Sequence, residues 1–205
     1  MSLLVKVCGM RDADNIRAVE ALGIDMMGFI FWPPSSRFVS QRPSYLPTRC
    51  KRAGVFVDAA TDDILQRAAD YRLDIIQLHG HESPEFISRL ASLAPSLSFI
   101  KAFNIATPED FEQTRRYEGI ADYFLFDAKG KSAGGNGTKF DWALLDSYTG
   151  DTPFLLSGGI GPEDDQFIRS SPLSPKCIGI DLNSRFESEP GIKEIGKLKA
   201  FLNHE

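Results

Sequence analysis

No stretch of the chain approaches the ~18 consecutive apolar residues that a membrane span requires. Its start does not read as a signal peptide, because Lys6, Arg11 and Asp12 fall within the first twelve residues. Cysteine is scarce: Cys8, Cys50 and Cys177 are odd in number and far apart, which argues against a disulfide framework or a zinc knuckle. A reducing, cytoplasmic setting and no membrane partner are expected. Lysine and arginine form no block and the net charge is −5, so no nucleic-acid partner is expected. An anionic ligand would have to be held by local groups. Histidine is also rare. His204 lies in the tail, and His79 and His81 form an i,i+2 pair that can bind metal but lacks an obvious set of acidic partners. Two nucleotide signatures are absent. The first strand-to-helix turn, CGMRDAD, has no G-x-G-x-x-G, and GKSAGGNGTKFDW (130–142) lacks the leading glycine of a P-loop, since Leu125 stands in its place.

What is present reads as a soluble globular protein, 42% hydrophobic and 25% charged. Its 205 residues fit a single domain, 1–205, with room for a sizeable core. Strand-like runs at 3–8, 25–31, 52–57, 74–80, 98–103, 121–127, 153–159 and 177–182 alternate with helix-like ones. The helical patterns cover 12–22, a short piece near 45–50, then 61–71, 83–93, 107–117, 142–147, 162–170 and 192–202. Asp12 or Asp14, Thr61 and Ser83 suit N-caps, and Pro84 suits a first helical position. Eight β-then-α units without a composition break predict an α/β fold, a (β/α)₈ TIM barrel. A doubly wound open sheet is the alternative.

Side chains alternate along a strand, so parity assigns faces. Leu3, Val5 and Val7 would meet helices, leaving Lys6 and Cys8 pointing into the barrel. By the same count Gln77 and His79, Asp127, and Asp181 point inward from the fourth, sixth and eighth strands. Each has a bland reading. Cys8 can be inert packing, Asp127 a helix cap or ion-pair partner, Lys6 the counter-ion of a buried acid, and His79 a satisfied core group. The coincidence carries the argument, because four strands send polar residues inward near the ends where such barrels keep their active sites. Cys50 and Cys177 have no such context and are taken as packing.

The loops add to this. SGGIGPEDD (157–165) puts Gly158 and Gly159 directly before a helix start, where backbone amides can approach an anion. DLNSRFESEPG (181–191) offers a second small polar turn with room for a short extra helix. Loops after strands seven and eight commonly hold phosphate in this fold. The stretch 130–142 is expected to form a flap, or else a plain linker, and PPSSRF (33–38) places Arg37 at the barrel mouth, able to grip a carboxylate with two prongs.

In order, KVCGMRD, GFIFWPPSSRFV, IIQLHGHE, DYFLFDAK, GGNGTKFDW, LLSGGI and GIDLNSRFESEPGIK closely resemble the phosphoribosylanthranilate isomerase family over essentially the whole chain. That resemblance implies a cofactor-independent (β/α)₈ enzyme of tryptophan biosynthesis. It would convert N-(5-phosphoribosyl)anthranilate, a sugar-phosphate aminoaldose, to 1-(2-carboxyphenylamino)-1-deoxyribulose 5-phosphate by an Amadori rearrangement. It also implies Cys8 as general base, Asp127 as general acid, Arg37 on the substrate carboxylate, and Gly158, Gly159, Asn183 and Ser184 on the phosphate. Asparagine at 183 departs from the serine more usual there. The chemistry needs one group to protonate the ring oxygen and another to take the C2 proton. A free thiol of pKa ~8.5 is mostly protonated at neutral pH, so the Cys8 pKa must fall, with Lys6 a candidate cause; an ordinary carboxyl would be ionised, so that of Asp127 must rise. Two other classes stay open on the residues alone: a metal-dependent sugar-phosphate epimerase on the same barrel, and a non-catalytic sugar-phosphate sensor. Monomer and homodimer are both compatible with the sequence.

Overall fold

The computed structural model describes residues 3–128, 142–170 and 174–203. The flap expected at 130–142 therefore lies outside the described residues, apart from Trp142. The eight expected strands are β1 (Leu4–Val7), β2 (Met26–Ile30), β3 (Lys51–Phe56), β4 (Ile75–Leu78), β5 (Ser98–Ile105), β6 (Tyr123–Ala128), β7 (Phe154–Leu156) and β8 (Cys177–Leu182). They pair in sequence order, all parallel, and β8 returns to β1 in register from Leu4 opposite Gly179 to Val7 opposite Leu182. The sheet is closed, which rules out the open doubly wound alternative.

Parity sorts the core into two layers, as the alternation predicts. Met26, Ala53, Ile75, Ile100, Ala102, Leu125 and Leu155 fill the barrel interior, with Leu4 and Tyr123 against them. Val7, Ile76, Leu78, Phe124, Phe126, Phe154 and Ile180 face outward under the helices. Each such buried side chain stabilises by about 1.5–3 kcal/mol through removal from water. Between strands and outer layer an aromatic group of Phe103, Phe111, Phe124, Phe126 and Tyr148 packs edge-on; Phe103 and Phe124 stand 5.1 Å apart at 86°.

The helices are α1 (Ala13–Glu20), α2 (Thr61–Tyr71), α3 (Pro84–Leu93), α4 (Asp165–Ser170) and α5 (Ile195–Asn203), with 3₁₀ turns at Pro108–Tyr117 and Trp142–Ser147 in the fifth and sixth crossovers. Asp12 caps α1 by accepting from the amides of Asp14 and Asn15, and Ser83 caps α3 by accepting from Phe86. Three expectations need correction. Thr61 is the first residue of α2, and Ala60 stands at its cap position without a side-chain bond. Residues 45–50 are not helical: Pro47 has no amide hydrogen and disfavours the helical conformation at Leu46, and the buried Glu20 carboxylate takes the amides of Thr48 and Arg49 and the hydroxyl of Tyr45. A negative charge at two successive N–H groups substitutes for the helical carbonyls. The last helix begins at Ile195, not 192. Ile192–Lys193 (β10) instead pairs antiparallel with Glu187–Glu189 (β9), and this small hairpin folds beside the mouth of the barrel. The expected short extra helix after β8 is the 3₁₀ turn Ser184–Phe186.

Candidate active site

Cys8 follows the last residue of β1 and is 4% exposed. Its amide donates to Leu182 O at 2.9 Å, so the β1–β8 ladder fixes where the thiol starts. Beneath it lies Gly28 of β2. A Cβ built there would fall 2.7 Å from Cys8 Sγ, so the sulfur occupies the space that this glycine leaves. One rung lower, Lys6 Nζ donates to Asp181 Oδ1 at 2.9 Å, and neither side chain exceeds 7% exposure. Burial pushes the Lys6 ammonium down, but Asp181 and Cys8 outweigh it and hold Lys6 protonated, above its ordinary range. Burial likewise pushes Asp181 upward while the ammonium opposes it; with Lys6 charged, the carboxylate is its counter-ion.

That pairing alters the expectation for Cys8. Burial pushes the thiol up, Lys6 pulls it down, Asp181 pushes up again and Lys193 pulls down, with the net direction upward. Lys6 acts in the expected sense but does not prevail, because burial of the thiol outweighs it and Asp181, at contact distance from Lys6, opposes it as well.

On the other side of the mouth, Asp127 of β6 and His79, just beyond β4, approach each other, His79 Nε2 standing 3.6 Å from Asp127 Oδ2. This is longer than a hydrogen bond. Gln77 Nε2 lies 3.3 Å from His79 Nδ1, and Gln77 is 1% exposed. Burial, then the ammonium groups of Lys101 and Lys6, pushes His79 down to about 3. His79 is therefore a neutral imidazole at physiological pH, offering Asp127 no positive charge. His81 diverges from it: the His81 side chain is 96% exposed and meets Asp58 at 3.0 Å, against 8% exposure for His79. The i,i+2 pair thus forms no joint metal site. Among the described residues no group of three His, Cys, Asp or Glu side chains stands ready to hold a metal ion.

Arg37 is held where the loop after β2 turns back, its amide on Ser35 Oγ and Phe38 N on Ser35 O. Its guanidinium is already gripped: Nε and Nη2 donate to Glu187 at 2.9 and 2.7 Å. The fork that a ligand carboxylate would meet is accordingly the Nη1/Nη2 edge. Glu187, on β9, also receives Lys193 Nζ and the Gly191 amide. Lys193 Nζ in turn donates to Asn183 Oδ1 at 2.8 Å, so the Asn183 side-chain oxygen is turned to a cation. Its neighbour Ser184 begins the 3₁₀ turn and is half-buried. Gly158 and Gly159, after β7, both have positive φ (93° and 70°), a conformation that costs other residues and that turns successive amides to one side.

Lys193 and Glu187 reach the candidate site through a hairpin not anticipated from the sequence. The segment containing Lys193 reads as the first turn of a helix. The signal that finds it is the Pro190-Gly191 turn between two short polar runs, the mark of a hairpin. Lys101, also buried, belongs elsewhere: it faces outward from β5 and donates to Gly80 O at 2.6 Å and Glu82 Oε2 at 3.1 Å, bracing the loop after β4.

Comparisons with known proteins place the chain in a family. The family model of N-(5'phosphoribosyl)anthranilate (PRA) isomerase matches residues 5–204. The N-(5'-phosphoribosyl)anthranilate isomerase of Parabacteroides distasonis is 51% identical over 206 residues, covering 98% of this chain and 92% of the relative. The crystal structure of phosphoribosyl anthranilate isomerase from Thermus thermophilus superposes with a TM-score of 0.81 at 28% identity, covering 98% of this chain and 96% of that one. A further phosphoribosyl anthranilate isomerase, solved in complex with reduced 1-(o-carboxyphenylamino)-1-deoxyribulose 5-phosphate, superposes with a TM-score of 0.79 at 27% identity, covering 98% and 97%. With the closed barrel, the paired polar groups at its mouth and this match along its length, the chain belongs to the N-(5'-phosphoribosyl)anthranilate isomerase family, enzymes of tryptophan biosynthesis.

Proposed function

We propose that in this chain the Amadori rearrangement is divided between Cys8 as general base and Asp127 as general acid, with Arg37 receiving the substrate carboxylate and the turns at Gly158–Gly159 and Asn183–Ser184 receiving the phosphate. Asp127 gives its proton to the ribose ring oxygen; the bond from that oxygen to C1 breaks, leaving a protonated Schiff base between C1 and the anthranilate nitrogen. The Cys8 thiolate then removes the C2 proton. The freed electron pair forms the C1–C2 double bond and neutralises the nitrogen, giving an enolamine. Loss of the C2 hydroxyl proton and gain of one at C1 yields the aminoketose. The substrate is a small sugar phosphate, and the whole chain 1–205 acts as one catalytic unit.

The observation that supports this reading is that Cys8, directly after β1, and Asp127, on β6, are both buried on inward positions at the same end, three strands apart round a closed barrel. Two proton transfers on opposite flanks of one sugar require such a separation. The neutral His79 supports it, since it adds no cation that would favour the ionised form of the acid. In Cys8→Ala and Asp127→Ala enzymes, turnover of N-(5'-phosphoribosyl)anthranilate should vanish while the anionic product still binds. Retention of more than about a tenth of kcat by Cys8→Ala refutes the base assignment, because a general base typically contributes 10²–10⁴-fold.

A further inference from the structure

Two ammonium groups lie within Coulombic reach of Cys8, and they are not equivalent. Lys6 from β1 is matched one to one by Asp181 from β8, a pair of zero net charge. Lys193 from β10 shares its carboxylate: Glu187 of β9 serves both Lys193 and Arg37, so two cations meet one anion and the cluster carries a net positive charge. This cluster lies against the turn that follows the thiol. A Cβ on Gly9, whose φ is +79°, would fall 2.8 Å from Asn183 Oδ1 and 2.7 Å from Arg37 Cδ, and that same Asn183 oxygen receives Lys193. The Lys193 side chain is 0% exposed. An ammonium has three donors; contacts to Glu187 and Asn183 use two of them, leaving one at a position closed to bulk water.

We infer that Lys193 is a positioning residue for the reaction, a second cation beside Lys6 that favours the thiolate of Cys8, and that Glu187 sets how much of its charge the sulfur feels. The charged groups facing the thiol leave room for this assignment. Burial opposes the thiolate, Lys6 favours it but is held to Asp181, which opposes it, Arg37 is turned to Glu187, and Gly28 below the sulfur is neutral; Lys193, in a cluster of net positive charge, adds to the pull of Lys6. Its pull on Cys8 and the reciprocal pull of Cys8 on it act in the same sense. The inference rests on the proposed role of Cys8 as base, and its test is separable from that role.

The test uses the full chain with Cys50→Ser and Cys177→Ala, so that Cys8 is the sole thiol, and follows two readouts against pH: thiolate ultraviolet absorbance and kcat/KM. Lys193→Gln should move both titrations to higher pH by about one unit, the lower end of what a nearby charge does, with kcat/KM at neutral pH falling about tenfold. Glu187→Gln should move both to lower pH while raising KM, because it frees Lys193 for the sulfur and loosens Arg37. Lys193→Arg should restore the wild-type titration. Absence of a shift, shifts of the same sign in Lys193→Gln and Glu187→Gln, or a kinetic shift with an unmoved thiolate titration each overturn the inference. So does Lys193→Arg behaving like Lys193→Gln when circular dichroism shows both folded. Should Lys193→Gln fail to fold, the downward shift in Glu187→Gln decides. Failure of the base assignment appears instead as turnover by Cys8→Ala, and leaves the absorbance titration interpretable.

Discussion

On the proposed role of Cys8 as base, the space under it offers the sharpest test of how the barrel positions its chemistry. In Gly28→Ala a methyl group would sit 2.7 Å from Cys8 Sγ, 3.1 Å from its Cα and 3.2 Å from its Cβ. Heavy-atom contacts relax near 3.5–4.0 Å, so the sulfur must retreat by about 1 Å. The backbone cannot take up the difference easily. Cys8 N is bonded to Leu182 O at 2.9 Å and Met10 N to Gly28 O at 3.0 Å, which ties the thiol's own turn to both neighbouring strands. Overpacking of this kind costs about 1–3 kcal/mol, and a displacement of about 1 Å in a reacting group costs on the order of 100-fold in rate. The assay is kcat for the isomerisation together with a thermal melt, where each kcal/mol corresponds to about 2–4 °C for a chain of this size. Gly196→Ala is the control: nothing lies within 4 Å of its added Cβ, and in α5 the change should stabilise by up to about 1 kcal/mol without altering kcat. A Gly28→Ala enzyme that keeps kcat within a factor of about three of wild type would show that the glycine does not set the sulfur's position.

Other consequences are open to measurement. Lys6→Met strands Asp181 in the barrel without its counter-ion and should cost about 3–5 kcal/mol in denaturant unfolding, while adding Asp181→Asn should recover part of that loss. His79, held at about 3 against an ordinary 6.5, binds fewer protons folded than unfolded across that interval; its stabilisation is complete above the unfolded value and is lost as pH falls. Between pH 7 and pH 5 it should remove about 2 kcal/mol from the wild-type unfolding free energy, a loss that His79→Asn should not show. Gly159→Ala, forced to a φ of 70°, should lose about 1–2 kcal/mol and raise KM for the phosphorylated substrate more than it lowers kcat. Equal KM in that variant would separate the Gly158–Gly159 turn from phosphate binding.

Much of the barrel is legible in the sequence because its determinants are local. Alternation in LLVKVC, IIQLHG and YFLFD assigns both core layers. Ser83-Pro84 marks a helix start that needs only its own next amides. The misreadings arise where a distant group intervenes. Within residues 45–50 Pro47 is a local signal against a helix, and Glu20, more than twenty residues earlier, takes the next two amides out of any helix ladder. Arg37 reads as a free fork, yet Glu187, 150 residues away in sequence, occupies one edge of it.

By itself, then, the order of residues determined the eight-fold repeat, the inward parity of Lys6, Cys8, Gln77, His79, Asp127 and Asp181, and the glycines after β7, since periodicity and φ preference act within a few residues. Only the closed fold decided which charges meet: that Asp181 takes Lys6, that Glu187 divides itself between Arg37 and Lys193, and that burial beside Lys101 strips His79 of its proton. Coulomb and desolvation energies depend on distances and burial through space, and neither exists until the strands have closed.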